Sequence, residues 1–343
     1  MRINRLPILA LFLTTIALMN GCLESKEKAN EVVIYVAHDQ DYSEPILKEF
    51  EEETGIKVRA LYDTETTKTV GLVNKLIAEK NRPRADVFWN NEVSRTIVLK
   101  KEGILEPYCS PNAAEVPDIY KDPNCYWTGF GARARVIIYN TELVDKGDAP
   151  TSIMDLRDPK WRGKICVANP LFGSTGSHVA SLFAYWGDEK AMQYLNDLKE
   201  NDIGIVESNG MVRDLVVSGE FYIGLTDTDD ANDALVENKP IAMVFPDQGD
   251  GEMGTLVFPN SVMLIKNGPN PENGKKLIDY LLSKRVEKAL SYSKAMQIPL
   301  KPGVEHPENV PDIGKLKNIP VTQEEIYNKL KVSQRFVQEL FIR

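Results

Sequence analysis

Residues 220–238 read Glu220-Phe221-Tyr222-Ile223-Gly224-Leu225-Thr226-Asp227-Thr228-Asp229-Asp230-Ala231-Asn232-Asp233-Ala234-Leu235-Val236-Glu237-Asn238. The run Phe221 to Leu225 is short, apolar and bounded by polar residues, the pattern of a buried strand, whereas helix formers follow from Asp229. Thr226 to Asp230 is therefore expected to be a strand-to-helix turn of an α/β fold. In open α/β sheets ligands sit beyond the carboxyl ends of strands, where helix N-termini offer unpaired N–H groups. Local structure accounts for part of this composition. Thr228 can cap the helix, and Asp229 and Asp230 can sit in its first turn, where the dipole favours each carboxylate by ~0.3–1 kcal/mol. Asp227, Asp229, Asp230 and Asp233 together exceed what one cap needs. The run lacks the glycine and the closing glutamate of a calcium EF-hand loop.

The same alternation extends in both directions. Towards the N-terminus, Val32 to Ala37 reads as a strand, Tyr42 to Glu53 as a helix stopped by Thr54-Gly55, and Ile56 to Leu61 as a second strand. This βαβ unit places His38, Asp39 and Asp41 in its first turn. Capping residues Thr64 to Thr69 precede a helix with Val70, Val73, Leu76 and Ile77 at three-to-four spacing. Ala85 to Trp89 is a third strand, and Asn90-Asn91-Glu92 turns into the helix Ser94 to Glu102. His38, Thr66 and Glu92 thus fall at one edge of one sheet. A second series follows: strands Arg133–Asn140, Ile165–Ala168 and Ile203–Val206, with helices 177–185, 188–199 and 210–217. The polar turn Phe172 to Gly176 carries Ser174 and Thr175 and lacks the lysine of a phosphate loop, but an anion cradle at a helix start fits it. Met253 to Ile265 reads as a return strand, followed by helices 272–282 and 285–292 and an amphipathic tail, Thr322 to Arg343, whose stripe is expected to pack.

The chain has 343 residues and a net charge of −9. Its start, with Arg2, Arg5 and an apolar run from Ile8 to Met19, reads as a signal peptide over residues 1–21, too short to span a bilayer. The sequence Leu18-Met19-Asn20-Gly21-Cys22 resembles a lipoprotein signal, which makes Cys22 a lipid anchor and residues 22–30 a charged tether. The remaining ~320 residues suit two domains. Their charge, about −11 after loss of Arg2 and Arg5, argues against nucleic acid or anionic membrane as partner. Cys109 and Cys125 flank a turn-rich stretch. In an exported protein they are a plausible disulfide closing a loop of about 15 residues, worth roughly 3 kcal/mol. Cys166 lies in an apolar run and reads as a small buried hydrophobe.

Four stretches together carry a family likeness. Residues 32–58, Ala85 to Glu92, Arg133 to Asn140 and Asp158 to Ile165 resemble the ferric-ion-binding substrate-binding proteins of ABC importers. The resemblance implies a type II two-lobe fold, each lobe a mixed sheet flanked by helices, with ligand held in the cleft. Lobe I is expected over residues 31–134 plus 259–300 and lobe II over 135–258 plus 301–343, hinged near Arg135 to Tyr139 and Thr255 to Ser261. His38 matches the family's ligand histidine and Glu92 its ligand glutamate. Where iron-binding members carry two adjacent tyrosines, this chain has Asp229-Asp230. Carboxylates and one imidazole make an oxygen-rich site suited to a hard or borderline cation, iron among them. Arg133 and Arg135 match a pair in the family pattern, of which one would hold an accompanying anion or form a hinge-strand ion pair.

The expected function is therefore capture of a metal ion in the cleft and delivery to ABC permease subunits, by a monomer tethered outside the membrane through its lipid alone. The metal set is His38, Glu92, Asp229 and Asp230, with Asp39, Thr66, Asn91, Arg133, Ser174, Thr175, Asp227 and Thr228 as further ligand-binding residues. A receptor for a phosphonate or carboxylate is the alternative, because Thr64 to Thr69, Ser174 and Thr175 place neutral donors at helix starts. A secreted hydrolase ranks last: no nucleophile elbow, zinc-protease helix or phosphate loop is present, and no catalytic cofactor is called for.

Overall fold

A computed structural model describes residues 30–63 and 70–342. The signal peptide, Cys22, most of the tether and Thr66 lie outside the described residues. In chain order the elements are β1 (Glu31–Val36), α1 (Gln40–Thr54), β2 (Lys57–Tyr62), α2 (Val70–Ala78), β3 (Val87–Asn90), α3 (Val93–Lys101), β4 (Leu105–Glu106), β5 (Thr128–Asn140), β6 (Ile165–Ala168) and α4 (Gly173–Trp186). There follow α5 (Asp188–Glu200), β7 (Gly204–Val206), α6 (Asn209–Val217), β8 (Ile223–Asp227), α7 (Thr228–Val236), β9 (Ile241–Val244), β10 (Val257–Ile265), α8 (Pro271–Leu281), α9 (Lys284–Tyr292) and α10 (Gln323–Phe341).

Two mixed sheets meet in β5. Its first half pairs antiparallel with β10, Ala134 opposite Val257, and its second half pairs antiparallel with β8 and β9, Arg135 opposite Asp227. Beyond β10 the first sheet continues through β3, β1 and β2, the last three mutually parallel, while β4 also pairs with β10. Beyond β8 the second continues through β6 and β7, again parallel. Parallel strands buried on both faces read as continuous apolar runs, and Ile165 to Ala168 and β3 are buried throughout. The β10 ladder shifts register between Pro259 and Asn260, where proline has no N–H to donate.

Helices cover the sheets as their apolar stripes dictate. Ile46, Leu47 and Phe50 of α1 and Leu277, Ile278 and Leu281 of α8 bury against β1, β3 and β10 around Trp89 and Phe130. The tail helix α10 packs Ile326 and Val337 into the core around Phe183 and Leu195. Its capping box is complete: Thr322 Oγ1 accepts from Glu325 N–H and the Glu325 carboxylate accepts from Thr322 N–H. Cys109 and Cys125 are joined by a disulfide with Cα atoms 5.0 Å apart, and Cys166 is a buried free thiol.

Three local expectations change. Strand β8 runs to Asp227 and α7 starts at Thr228, so no turn separates them; the cross-strand partner Arg135 extends the ladder into the aspartates. Thr228 does not cap α7; its Oγ1 accepts from Ala134 N–H at 3.2 Å and stitches the helix to β5. The stretch Gly173 to Gly176 is the first turn of α4 rather than a loop before it.

Candidate functional site

Beyond the carboxyl end of β8 lies a cavity of about 400 Å³ lined by His38, Asp39, Tyr42, Asn91, Arg133, Ser208, Asn209, Gly210, Asp227, Asp229, Asp230, Asp233, Ala295 and Gln297. It draws on both sheets: His38 follows β1, Asn91 follows β3, Arg133 sits at the midpoint of β5 and the aspartates open α7. One carboxylate oxygen from each of Asp227, Asp229 and Asp230 lies within 4.8 Å of the others. Two oxygens on one cation at ~2.0–2.6 Å stand up to ~4–5 Å apart, so the spacing suits a single ion.

Each carboxylate has a different environment. Asp227 is buried and saturated: Arg135 Nη1 donates to Oδ1 at 2.6 Å, while Ser174 Oγ (2.6 Å) and Asn209 Nδ2 (3.0 Å) donate to Oδ2. Asp229 Oδ2 accepts from Arg133 at 3.1 Å, and its Oδ1 is buried without a hydrogen-bond partner among the described residues. The Asp230 carboxyl is pushed up to about 8, first by burial and then by the charges of Asp229 and Asp227. Such a shift records negative charge crowded where water is scarce, and a cation there relieves it. His38 is buried, and burial pushes its imidazole down to about 4, so it is neutral at pH 7. Tyr42, the tyrosine of the lining, is held protonated by burial and by Asp233 and Asp39.

The cavity therefore gathers His38, Asp39, Asn91, Arg133, Asp227, Asp229 and Asp230 of the expected set. Ser174 lies beneath it, bonded to Asp227, and Thr175 Oγ1 donates to Asn209 at 3.4 Å. Thr228 is buried behind it. Glu92 takes another position: it caps α3, accepting from Ser94 N–H (3.0 Å) and Ser94 Oγ (2.6 Å), and accepts from Ser177 Oγ at 3.2 Å. It lines a second cavity of about 460 Å³, with Arg95, Lys331 and Gln334. Tyr42, Asn209, Asp233 and Gln297 were not among the expected residues. Ser208, the α6 N-cap, marks a helix start that points to Asn209; nothing in its local pattern singles out Gln297.

The model of the bacterial extracellular solute-binding proteins matches residues 85–329. The chain belongs to that family. This extracellular solute-binding protein is 27% identical over 322 residues to iron uptake protein A1 of Synechocystis, covering 90% of this chain and 86% of that one. It is 28% identical over 317 residues to a putative 2-aminoethylphosphonate-binding periplasmic protein of Salmonella typhimurium, covering 89% and 88%. Among solved structures, an open conformation of Mannheimia haemolytica ferric iron-binding protein A superposes with a TM-score of 0.79 at 26% identity, covering 91% of this chain and 98% of that one. The two-lobe substrate-binding fold and the ferric-type likeness carried by residues 32–58, 85–92, 133–140 and 158–165 are thereby borne out. The family is one of binding proteins. Among the described residues no helix is long and apolar enough to cross a membrane.

Proposed function

We propose that this solute-binding protein captures a metal ion, with iron the first candidate, in the cavity beyond β8 and delivers it to an ABC permease. The observation that carries this reading is the cluster of Asp227, Asp229 and Asp230 oxygens within 4.8 Å, with one Asp229 oxygen buried and unpartnered among the described residues. Five aspartates line the cavity against three arginines, Arg133 in its wall and Arg135 and Arg213 paired with Asp227 and Asp233, so the balance still favours a cation over an anion. Asp229 and Asp230 are the principal oxygen ligands and His38 the nitrogen ligand. Asp39, Asn91 and Asp227 shape the wall. Glu92 joins only if closure of the cleft brings the α3 N-terminus across. The iron-related relatives support the choice of metal, and oxygen donors in place of a tyrosine pair widen it to other hard cations.

The lobes are residues 31–134 with 259–300 and 135–258 with 301–343, hinged near Arg135 to Tyr139 and near Thr255 to Ser261. Residues 1–21 serve as the export signal, Cys22 carries the lipid, residues 22–30 form the tether, and the mature chain works as a monomer without catalytic activity. An organic phosphonate or carboxylate is the second reading, favoured by Arg133 on the cavity wall and by the phosphonate-related Salmonella relative.

Protein purified without chelator, examined by metal analysis and native mass spectrometry, is expected to carry one metal ion per chain. Recovery of a stoichiometric organic anion and no metal would replace the first reading with the second.

A further inference from the structure

His38 ends a chain of buried hydrogen bonds that starts where the two long strands β5 and β10 pair. Asn260, at the register shift of β10, donates through Nδ2 to the carbonyls of Gly131 and Phe130 and, at 2.8 Å, to Gln297 Oε1. Carbonyl oxygens only accept, so the nitrogen of the Asn260 amide must face them, and its remaining contact must be with an acceptor. That places the Gln297 oxygen towards Asn260 and its nitrogen towards His38, where Nε2 of the amide lies 2.6 Å from Nε2 of the imidazole. A ring nitrogen that accepts a hydrogen bond carries no proton. Neutral His38 therefore holds its proton on Nδ1, which faces the Asp39 carbonyl at 3.4 Å. Gln297 and Asn260 are 1% and 2% exposed, so water does not compete for these groups. The seat also needs a glycine: Gly131 has φ +46°, and a Cβ there would stand 2.5 Å from Gln297 Oε1.

We propose that Gln297 is a positioning residue that keeps His38 Nε2 unprotonated and occupies its lone pair until an arriving cation displaces the amide. The proposal rests on the cation reading of the cavity. A histidine binds metal through an unprotonated nitrogen while its other N–H is held by a carbonyl or carboxylate, and the Asp39 carbonyl stands where that holder is needed. Gln297 thus prepares the ligand and guards it. Because its oxygen is fixed by Asn260 between β5 and β10, displacement of the amide reaches the paired strands directly, which couples occupancy of His38 to the hinge.

The test uses the full chain with nitrogen-15-labelled histidine, free of metal, and His38→Gln to assign its signals. Wild type is expected to show His38 with an unprotonated, hydrogen-bonded Nε2 and a protonated Nδ1. In Gln297→Leu the donor is gone and the two tautomers should mix. In Gln297→Glu the carboxylate retains the acceptor for Asn260 but turns an acceptor to the ring, so the proton should move to Nε2. Titration with iron(III) citrate should leave Gln297→Leu within threefold of wild type, whereas Gln297→Glu, which also adds a negative charge to the cavity wall, is read by its ring spectrum alone. A wild-type His38 protonated on Nε2, or a Gln297→Glu spectrum equal to wild type, would overturn the proposal. The expected tautomers in a wild type that takes up no iron(III) would contradict the cation reading while supporting Gln297's control of the ring.

Discussion

Arg133 Nη1 stands 3.1 Å from Asp229 Oδ2 while its Nη2 donates to the Asn91 carbonyl at 2.9 Å. One guanidinium therefore ties the start of α7 to the segment after β3, stacked over the Phe258 ring at 4.8 Å. It is also the cavity's own counter-ion, set against the carboxylates a ligand would meet.

Arg133→Gln removes that positive charge without emptying the space. At an effective dielectric near 20, a unit charge about 5 Å away contributes about 3 kcal/mol, so a tenfold change in affinity is a modest expectation. A cationic ligand should bind at least tenfold more tightly to the variant and an anionic one at least tenfold more weakly, as read by isothermal titration with iron(III) citrate and with 2-aminoethylphosphonate. Weaker metal binding would show that Arg133 serves the ligand rather than competing with it.

Arg135 and Asp227 form a second, deeper pair, both side chains 2% exposed or less. They are cross-strand neighbours of β5 and β8, and Ser174 and Asn209 complete the carboxylate's shell. Removing one partner of a buried pair strands the other charge, at a cost of about 3–5 kcal/mol. Asp227→Ala should lower the urea midpoint accordingly, and Asp227→Asn, which keeps an acceptor for Ser174 or Arg135, should lose less. A loss under 1 kcal/mol in Asp227→Ala would contradict the lock.

His178, buried in α4, is pushed down to about 3 by burial and then by Arg135. Its unfolded imidazole titrates near 6.5, so between these values the unfolded chain binds the extra proton. This contribution to stability is fully present above pH 6.5 and is lost as pH falls, with a slope of about 1.4 kcal/mol per pH unit. His38, pushed down to about 4, acts in the same sense. Denaturation of His178→Gln between pH 4 and 6 should show a slope shallower by about one proton; an unchanged slope would mean that His178 is protonated in the folded chain.

The alternating strands and helices were legible because burial on both faces leaves unbroken apolar runs such as Ile165 to Ala168, and because stops such as Thr54-Gly55 mark helix ends. Pairings across long separations were not. Arg135 lies 92 residues from Asp227, and only their register in β5 and β8 shows that the strand runs on into the aspartates and that Asp227 is saturated. The first turn of α4 read as a loop because glycine, serine and threonine favour turns, yet Ser174 is held there by Asp227. The short strand β9 lay in a stretch with no marked alternation and is recruited by β5. Gln297 belongs to a segment after α9 whose backbone joins β5, Ile298 bonding with Ala132, and that long-range bridge delivers it to His38.

The central claim is that the ligand is a cation held by Asp229 and Asp230. Iron(III) citrate titrated into the wild type and into Asp229→Asn with Asp230→Asn decides it most directly, with urea denaturation of both to confirm the fold. The wild type should bind one iron per chain, and the double variant should lose binding altogether while remaining folded, since the lost Asp229–Arg133 pair is set against relief of the crowded charge at Asp230. An unchanged iron affinity, or a gain in binding of 2-aminoethylphosphonate in its place, would contradict the claim.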